Sequence, residues 1–219
     1  MADVKPELAI GRGWVEPALR AEFPGLALLQ AEARAPGRRS PRELRQRLRY
    51  LSDRVHGQHV LSMRREPIAS AYRVFFRQIG IDPDQHRPPA EAVMLERLRA
   101  GWFRSRNIVD DALTVALVET GVAVRAFDAD RVQGGLGLRI SQPGECLGGA
   151  PKGLELPEGT IVIADERDSV GLVFGDTAAG HGVSGDTARI ALCAVRVEGV
   201  PDISVEEALW TCADILQSS

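Results

Sequence analysis

The residues best suited to chemistry lie around a glycine-rich loop that spans residues 175 to 185. Glycine permits close approach and unusual backbone dihedral angles, so the amides of such a loop can stabilise a developing oxyanion. His181 could orient a water molecule near neutral pH, and a solvated loop histidine is the alternative interpretation. The segment could equally be a plain surface loop between strands. The glycines that could supply amides are Gly171, Gly175, Gly180 and Gly182.

Arg125 and Cys193 are two further side chains with chemical potential. Arg125 could bind a carboxylate or a terminal phosphate through two parallel hydrogen bonds. The alternative for Arg125 is a structural salt bridge to Asp128 or Asp130. Cys193 could be a nucleophile, but it lies in an apolar stretch, where a buried cysteine is usually inert packing.

The composition excludes several classes of protein. With 219 residues, 44% hydrophobic residues and a net charge of only -3, the chain is not expected to be disordered. It has three cysteines without close pairs, which fits a reducing cytosol and gives no zinc pattern. It has no run of about 18 apolar residues, and its first ten residues do not resemble a signal peptide. We therefore expect a cytoplasmic protein without membrane spans, metals or cofactors.

Helical patterns dominate the first half of the chain. The sequence Ser40-Pro41-Arg42-Glu43 matches a capping box, and leucines follow it at helical spacing. Further helices are predicted over residues 68–79, from Pro88-Pro89 onward, and over residues 108–119. Asn107 is predicted to cap the last of these, with Asp110 and Asp111 stabilising the dipole in its first turn.

The second half changes to the pattern of a sheet. A second capping box at Ser204 predicts a final helix that ends near Leu216. Helices followed by strands and one closing helix favour an α+β fold over alternating βαβ units. The short apolar runs that predict strands cover residues 122–124, 136–140, 160–164, 170–174 and 190–197.

The charges divide unevenly along the chain. Residues 1–106 hold 20 basic and 12 acidic side chains, whereas residues 107–219 hold 7 basic and 18 acidic ones. A basic front half favours a polyanionic partner. A solvated helix face, or neutralisation by the acidic half, would also explain it. Tyr50 is the one aromatic residue within the arginine-rich stretch, so base stacking is not indicated there. The arginines that could follow an RNA backbone are Arg38, Arg39, Arg42, Arg45 and Arg49.

A series of short motifs occurs in one order from residue 104 to residue 197. They are Arg104–Asp110, Glu119–Gly121, Arg125–Gly135, Pro143–Glu145, Thr160–Asp165, Gly171–Gly175 and Gly182–Thr187. In order and spacing they resemble the B3/B4 domain of the phenylalanyl-tRNA synthetase β chain, apart from a small insertion around residues 178–180. The resemblance covers roughly residues 65–200.

The resemblance implies a fold and an activity. In the synthetase this domain hydrolyses tyrosine wrongly attached to the phenylalanine tRNA. The implied fold is α+β, with a helical N-terminal part and a core like a closed β-barrel of six strands. We expect a lead segment, residues 1–64, that carries the arginine-rich helix and belongs to one unit with the B3/B4-like domain, residues 65–219. The ATP-binding core of the synthetase has no counterpart here, so no ligase is expected.

Three positions depart from the pattern of this family. The family histidine is replaced by Arg125, the glutamate that reads the tyrosine hydroxyl by Cys193, and an asparagine by Leu113. A site specific for tyrosine is therefore not expected. Thr187 matches a family threonine and is expected to fix a turn.

Two main functions remain open at the level of sequence. The first is a deacylase that acts in trans on mischarged aminoacyl-tRNA, with His181 as the candidate catalytic residue. The second is a non-catalytic module that keeps the fold and binds RNA or an amino acid; a sensor of a free amino acid in the same pocket is a variant of it. In each case the expected partner is tRNA, aminoacyl-tRNA or the amino acid itself. The expected substrate-binding residues are Arg125, Gly175, Thr187 and Cys193.

Overall fold

A computed structural model describes residues 8–35, 37, 39–149 and 153–218. The α+β class predicted from the sequence is confirmed, with helices and strands both well represented. The helices are α1 (Pro17–Glu22), α2 (Arg42–Arg54), α3 (Gly57–Met63), α4 (Pro67–Gln78), α5 (Pro89–Ala100), α6 (Ile108–Thr120) and α7 (Asp202–Gln217). The strands are β1 (Gly11–Arg12), β2 (Trp14–Val15), β3 (Ala27–Arg34), β4 (Val124–Asp128), β5 (Gly137–Ile140), β6 (Ile161–Ala164), β7 (Ser169–Leu172) and β8 (Arg189–Arg196).

The larger strands form a sheet in the order β1-β3-β8-β4. Strand β8 lies at its centre and is buried over six consecutive residues, from Ile190 to Val195. Strand β3 pairs with it antiparallel along its whole length, from Ala27 opposite Arg196 to Arg34 opposite Arg189. Helix α7 packs against β3 and β8 and also against α6, so the main hydrophobic core lies between this sheet and the helices.

A second sheet has the order β2-β5-β6-β7. Strand β2 pairs parallel to β5, and the other neighbours are antiparallel. The closed six-stranded barrel expected from the resemblance is not confirmed. Within the described residues the strands form two separate four-stranded sheets, because β4 and β7 pair on one side only apart from isolated bridges to the glycine-rich loop.

The positions at which helices begin were predicted better than the residues that cap them. Asn107 caps α6 as expected, since its Oδ1 accepts a hydrogen bond of 2.9 Å from the Asp110 amide. The capping box at Ser40 is wrong: α2 begins after Pro41, and no side chain caps it. The box at Ser204 is also wrong, because α7 begins two residues earlier, at Asp202.

The turn at residues 143–145 is fixed by an ion pair. The Arg139 guanidinium donates to both carboxylate oxygens of Glu145, at 2.6 and 2.7 Å. The Glu145 carboxylate also accepts a hydrogen bond of 2.9 Å from the Gln142 amide. The hydrogen bonds from Arg139 lower the pKa of Glu145 from 4.5 to about 2. The ionised form of Glu145 therefore stabilises the folded state.

This lowered pKa predicts an acid-dependent loss of stability. Glu145 is ionised in both folded and unfolded chains above about pH 4.5, so its contribution is complete there. It should disappear as the pH falls towards 2, where the folded carboxylate takes up its proton. Urea unfolding between pH 2 and 7 should show the difference between wild type and Glu145→Gln shrinking over this range. Glu158→Gln, which changes an exposed glutamate nearby, controls for the loss of one charge; a difference independent of pH would contradict the prediction.

Candidate functional site

A cleft of about 510 Å³ lies between β4, the glycine-rich loop and the first turn of α6. Three of the four predicted substrate-binding residues line it, namely Arg125, Gly175 and Thr187. Leu113, where the family has asparagine, also lines it. Residues as far apart in the chain as Gly37 and Thr187 are thus brought to one surface.

Much of the cleft wall is main chain. Gly37, Gly175, Gly182 and Gly185 line it, and a glycine can contribute only backbone atoms. A Cβ at Gly175 would lie 2.8 Å from the Leu172 side chain, so the backbone there takes a path close to its neighbour. Such amides and carbonyls can approach a ligand without an intervening side chain.

The edge of β4 adds further backbone groups. The Asp128 amide donates 2.8 Å to the carbonyl of His181, on the side of β4 away from β8. Because backbone groups in an antiparallel strand alternate in direction, Ala126 and Val124 direct theirs to the same side. Both residues line the cleft, but the bridge between Phe127 and Gly182 already occupies the Ala126 end of this edge, so Val124 is the position whose backbone faces the cleft.

The Arg125 side chain crosses to the glycine-rich loop. Its guanidinium donates to the carbonyl of Gly175 and, at 2.7 Å, to Thr177 Oγ1. It also lies over the ring of Phe127, 5.8 Å from the centroid. Burial lowers the pKa of Arg125 below its usual value. A guanidinium that is partly desolvated and bound to neutral acceptors is poised to take an anionic or carbonyl oxygen.

The predicted alternative for Arg125, a salt bridge to Asp128 or Asp130, is wrong. Both carboxylates have other partners. Asp128 accepts a hydrogen bond of 2.8 Å from the Thr187 hydroxyl. Asp130 pairs with Arg189, with 2.8 Å between Arg189 Nη2 and Asp130 Oδ1.

Thr187 fixes the far end of the loop. Its hydroxyl donates to Asp128 and accepts a hydrogen bond of 2.9 Å from the Ser184 amide. The side chain is buried, and its two bonds join the turn at residues 184–187 to the end of β4. Thr187 therefore fixes the turn, as the sequence predicted, and by doing so it shapes this part of the cleft wall.

Cys193 and His181 lie outside the set of residues that line the cleft. Cys193 is 0% exposed on β8, directly opposite Arg125 in the strand register. Burial raises the pKa of the Cys193 thiol to about 12, so a reactive thiolate is strongly disfavoured. His181 is half-buried, and its Nδ1 is buried without a hydrogen-bond partner among the described residues.

Asp111 anchors two segments beside the cleft. This carboxylate, 1% exposed, accepts hydrogen bonds from the Ser40 and Ser105 hydroxyls, both at 2.5 Å. It also accepts one of 2.9 Å from the Arg106 amide. From the sequence, Asp111 was predicted only to stabilise the helix dipole. Ser40 and Ser105 both lie outside α6, so no helical spacing indicates that they bind Asp111. Asp111 thus fastens the start of α2 and residues 105–106 to α6.

The arginine-rich helix begins at this anchor. Arg39 is exposed just before α2, and the exposed side chains of Arg42, Arg45 and Arg49 share one face of α2. In the part of the chain that the structure describes, none of these four guanidiniums has a carboxylate partner. Arg47, by contrast, forms two hydrogen bonds with Glu119, at 2.6 and 3.0 Å. Arg38 lies outside the described residues.

The charges inside the cleft differ from those of this helix. Asp110 and Asp176 line the cleft together with the single cation Arg125, as far as the described residues go. The first turn of α6 adds the positive end of its dipole, part of which Asn107 occupies by capping. Over the described ranges there is also no group of three or more histidine, cysteine or acidic side chains arranged to hold a metal ion. The cleft therefore offers carboxylates, backbone amides and one guanidinium.

Comparison with known proteins identifies the class. The family model described as B3/4 domain matches residues 71–204, which is more than half of the chain, so the protein belongs to the B3/4 domain family. The curated protein "Phenylalanine--tRNA ligase beta subunit" of Idiomarina loihiensis is 36% identical over 95 residues, which cover 42% of this chain and 12% of that protein.

Two further relatives are also phenylalanine–tRNA ligase beta subunits. The subunit of Neisseria meningitidis serogroup A is 33% identical over 102 residues, covering 45% of this chain and 13% of that protein. The subunit of Neisseria gonorrhoeae is 34% identical over 115 residues, covering 51% of this chain and 14% of that protein. The chain thus matches only a small part of the length of these relatives. The family resemblance read from the motifs is confirmed.

No helix in the described ranges is long and apolar enough to cross a membrane.

Proposed function

We propose that this protein binds the aminoacyl end of a tRNA in the cleft and hydrolyses the ester of a wrongly attached amino acid. The observation that carries the proposal is the composition of the cleft: a wall of glycine backbone with Arg125 and two carboxylates, on a domain related to phenylalanine–tRNA ligase β subunits. Residues 1–64 and 65–219 act as one unit in this proposal, since β3 pairs with β8 throughout.

The charges support this orientation of the substrate. An aminoacyl ester carries an ammonium group, whereas the tRNA that bears it is a polyanion. Asp110 and Asp176 in the cleft favour the ammonium, while the exposed arginines of α2 favour phosphates. The Ser40–Asp111 bond holds the start of α2 against α6, whose first turn lines the cleft. One molecule can therefore meet both surfaces at once.

The chemistry required of the cleft is modest. Water attacks the ester carbonyl, backbone amides of the glycine-rich loop and the α6 terminus stabilise the oxyanion, and the tRNA 3′ hydroxyl leaves with a proton. Arg125 positions the loop through Gly175 and Thr177. The described lining contains neither histidine nor cysteine, so a carboxylate, Asp110 or Asp176, is the group that would accept a proton from water.

A non-catalytic binding module is the second candidate. The observation in its favour is that Arg125 and Cys193 stand where the family has a histidine and a glutamate, and Cys193 is fully buried. The cleft would then hold an aminoacyl end or an amino acid without turnover. A panel of correctly and wrongly acylated tRNAs separates the two candidates. Release of an amino acid above the spontaneous rate supports hydrolysis, and tight binding with no release supports the module.

Binding to tRNA should depend on the exposed face of α2. We expect the double variant Arg42→Ala/Arg45→Ala to bind tRNA more weakly and to reduce the slope of log K against log salt by about 1.5 to 2. Filter binding from 50 to 300 mM salt would measure both quantities. Arg47→Ala, on the same helix, is the matched control, because the charge of Arg47 is already paired with Glu119 of α6. Equal effects of the two variants would rule out this face as the phosphate-binding surface.

A further inference from the structure

A groove of about 270 Å³ adjoins the cleft on the side of α5. The two share Asp110 and Leu113 in their walls, so a chain that follows the groove arrives at the cleft. Arg97, Arg104 and Arg106 line the groove, together with Trp102. Glu96 adds a carboxylate to Asp110 there, so cationic groups are in the majority.

In the segment 102–106, Trp102, Phe103, Arg104 and Arg106 line the groove. Phe103 is buried, and its amide donates 2.8 Å to the Ser52 hydroxyl. Ser105 is bound to the Asp111 carboxylate at 2.5 Å. The intervening side chains of Trp102, Arg104 and Arg106 are all exposed. The backbone amides of Phe103 and Arg106 and the Ser105 hydroxyl therefore fix the path of the chain from which these three side chains extend.

The outward side chains have the chemistry of a single-stranded nucleic-acid path. Trp102 is 58% exposed, an unusual state for the largest apolar side chain. Arg97, Arg104 and Arg106 have no carboxylate partner in the described part of the chain, and Arg97 Nε is buried without a hydrogen bond. Guanidinium groups that lack carboxylates bind phosphates, and an exposed indole stacks on an unpaired base. Within a duplex the base faces are already stacked, so a single strand is the suitable partner.

We propose that this groove binds the single-stranded 3′ end of an RNA and leads its terminal nucleotide into the cleft. The inference rests on the proposed function for the identity of the RNA, but the groove itself is a separate surface. A base stacks on Trp102, and the neighbouring phosphates lie against Arg104 and Arg106. The terminal ribose passes Asp110 and Leu113, where the cationic lining gives way to carboxylates that suit an aminoacyl ammonium.

Two RNA hairpins with the same stem test this path, one with a four-nucleotide 3′ tail and one blunt. Their dissociation constants are measured by fluorescence anisotropy with a label on the loop. The tailed hairpin should bind wild type more tightly than the blunt one. Trp102→Ala should weaken binding of the tailed hairpin about ten-fold and leave the blunt one unchanged, since stacking is lost for one base. Trp102→Phe should keep most of the tail-dependent affinity.

Trp210→Ala is the matched control, because Trp210 is 56% exposed on α7, away from the groove. It should change neither hairpin. Three results would each overturn the proposal that the groove binds a single strand. They are equal affinity for the tailed and blunt hairpins, no binding to the tailed hairpin, and an unchanged affinity of Trp102→Ala for the tailed hairpin. Tail-dependent binding without ester hydrolysis keeps the groove and rejects the deacylase. If the protein hydrolyses the ester but Trp102→Ala binds the tailed hairpin as tightly as wild type does, the deacylase proposal stands and the groove proposal is rejected.

Discussion

Replacing Asp111 with alanine should lower the free energy of unfolding by about 3 kcal/mol, a large part of the stability of a typical domain. The change removes one buried acceptor group and leaves the Ser40 hydroxyl, the Ser105 hydroxyl and the Arg106 amide without their partner. Polar groups stranded in this way lose the bond and are still shielded from water. Equilibrium unfolding in urea, followed by circular dichroism, gives the value.

Two further variants interpret this result. Asp110→Ala removes the neighbouring carboxylate in the same helical turn, which accepts one side-chain hydrogen bond, from Asn107, among the described residues. This change should cost much less. Asp111→Asn keeps one acceptor oxygen and should fall between the two. If Asp111→Ala and Asp110→Ala destabilise equally, the anchoring role of Asp111 is wrong. Asp111 fastens the start of α2 and residues 105–106, which both carry arginines. Under conditions in which the Asp111→Ala variant is folded, it should therefore also bind tRNA more weakly.

Replacing Arg125 with methionine should lower kcat/KM for ester hydrolysis by about 100-fold, the effect expected when a donor that organises an oxyanion site is lost. Methionine keeps much of the apolar stem but cannot donate to Gly175 or Thr177. The loop then no longer has a fixed position relative to β4. We expect the loss mainly in kcat, with partial recovery in Arg125→Lys. Single-turnover kinetics with a misacylated tRNA would separate the two constants.

Arg189→Met is the control for Arg125. Arg189 is exposed on the adjacent strand and pairs with Asp130 and Glu32, outside the cleft. It should leave hydrolysis unchanged. Hydrolysis that persists at the wild-type rate in Arg125→Met would remove Arg125 from the site. If the protein is a binding module instead, the same pair of variants should differ in affinity for aminoacyl-tRNA.

The sequence predicted local features better than those formed across the chain. The helix over residues 108–119 was predicted because its cap, its apolar spacing and its terminal glycine lie within 15 consecutive positions. Strand β3 was not predicted, since Ala27–Arg34 consists largely of residues that favour helices. Its eight-residue pairing with β8 overrides that preference, and β8 lies more than 150 positions away.

The site shows the same division. Of the four substrate-binding residues predicted from the motifs, Arg125, Gly175 and Thr187 line one cleft and Cys193 does not. The motifs could not show that Arg125 binds the loop rather than Asp128, because Thr187 claims Asp128 only once the chain has folded. Trp102 lies just outside these motifs, which begin at Arg104. Trp102 is exposed and Phe103 is buried. The two residues lie in a segment without helix or strand, so no periodic pattern in the sequence predicts which of them faces solvent.

The backbone wall of the cleft has a consequence for how such a site can change over time. Apart from proline, which lacks the N–H, a substitution cannot remove a backbone amide or carbonyl, so these groups at Gly37, Gly175, Gly182 and Gly185 depend on the path of the chain rather than on residue type. Leu113 also lines the cleft but contributes a side chain, so a substitution there would change the shape of the cleft rather than its backbone groups. Under the proposed function, a substitution in the wall could thus change which ligand fits while most of the backbone groups that would hold it stay in place.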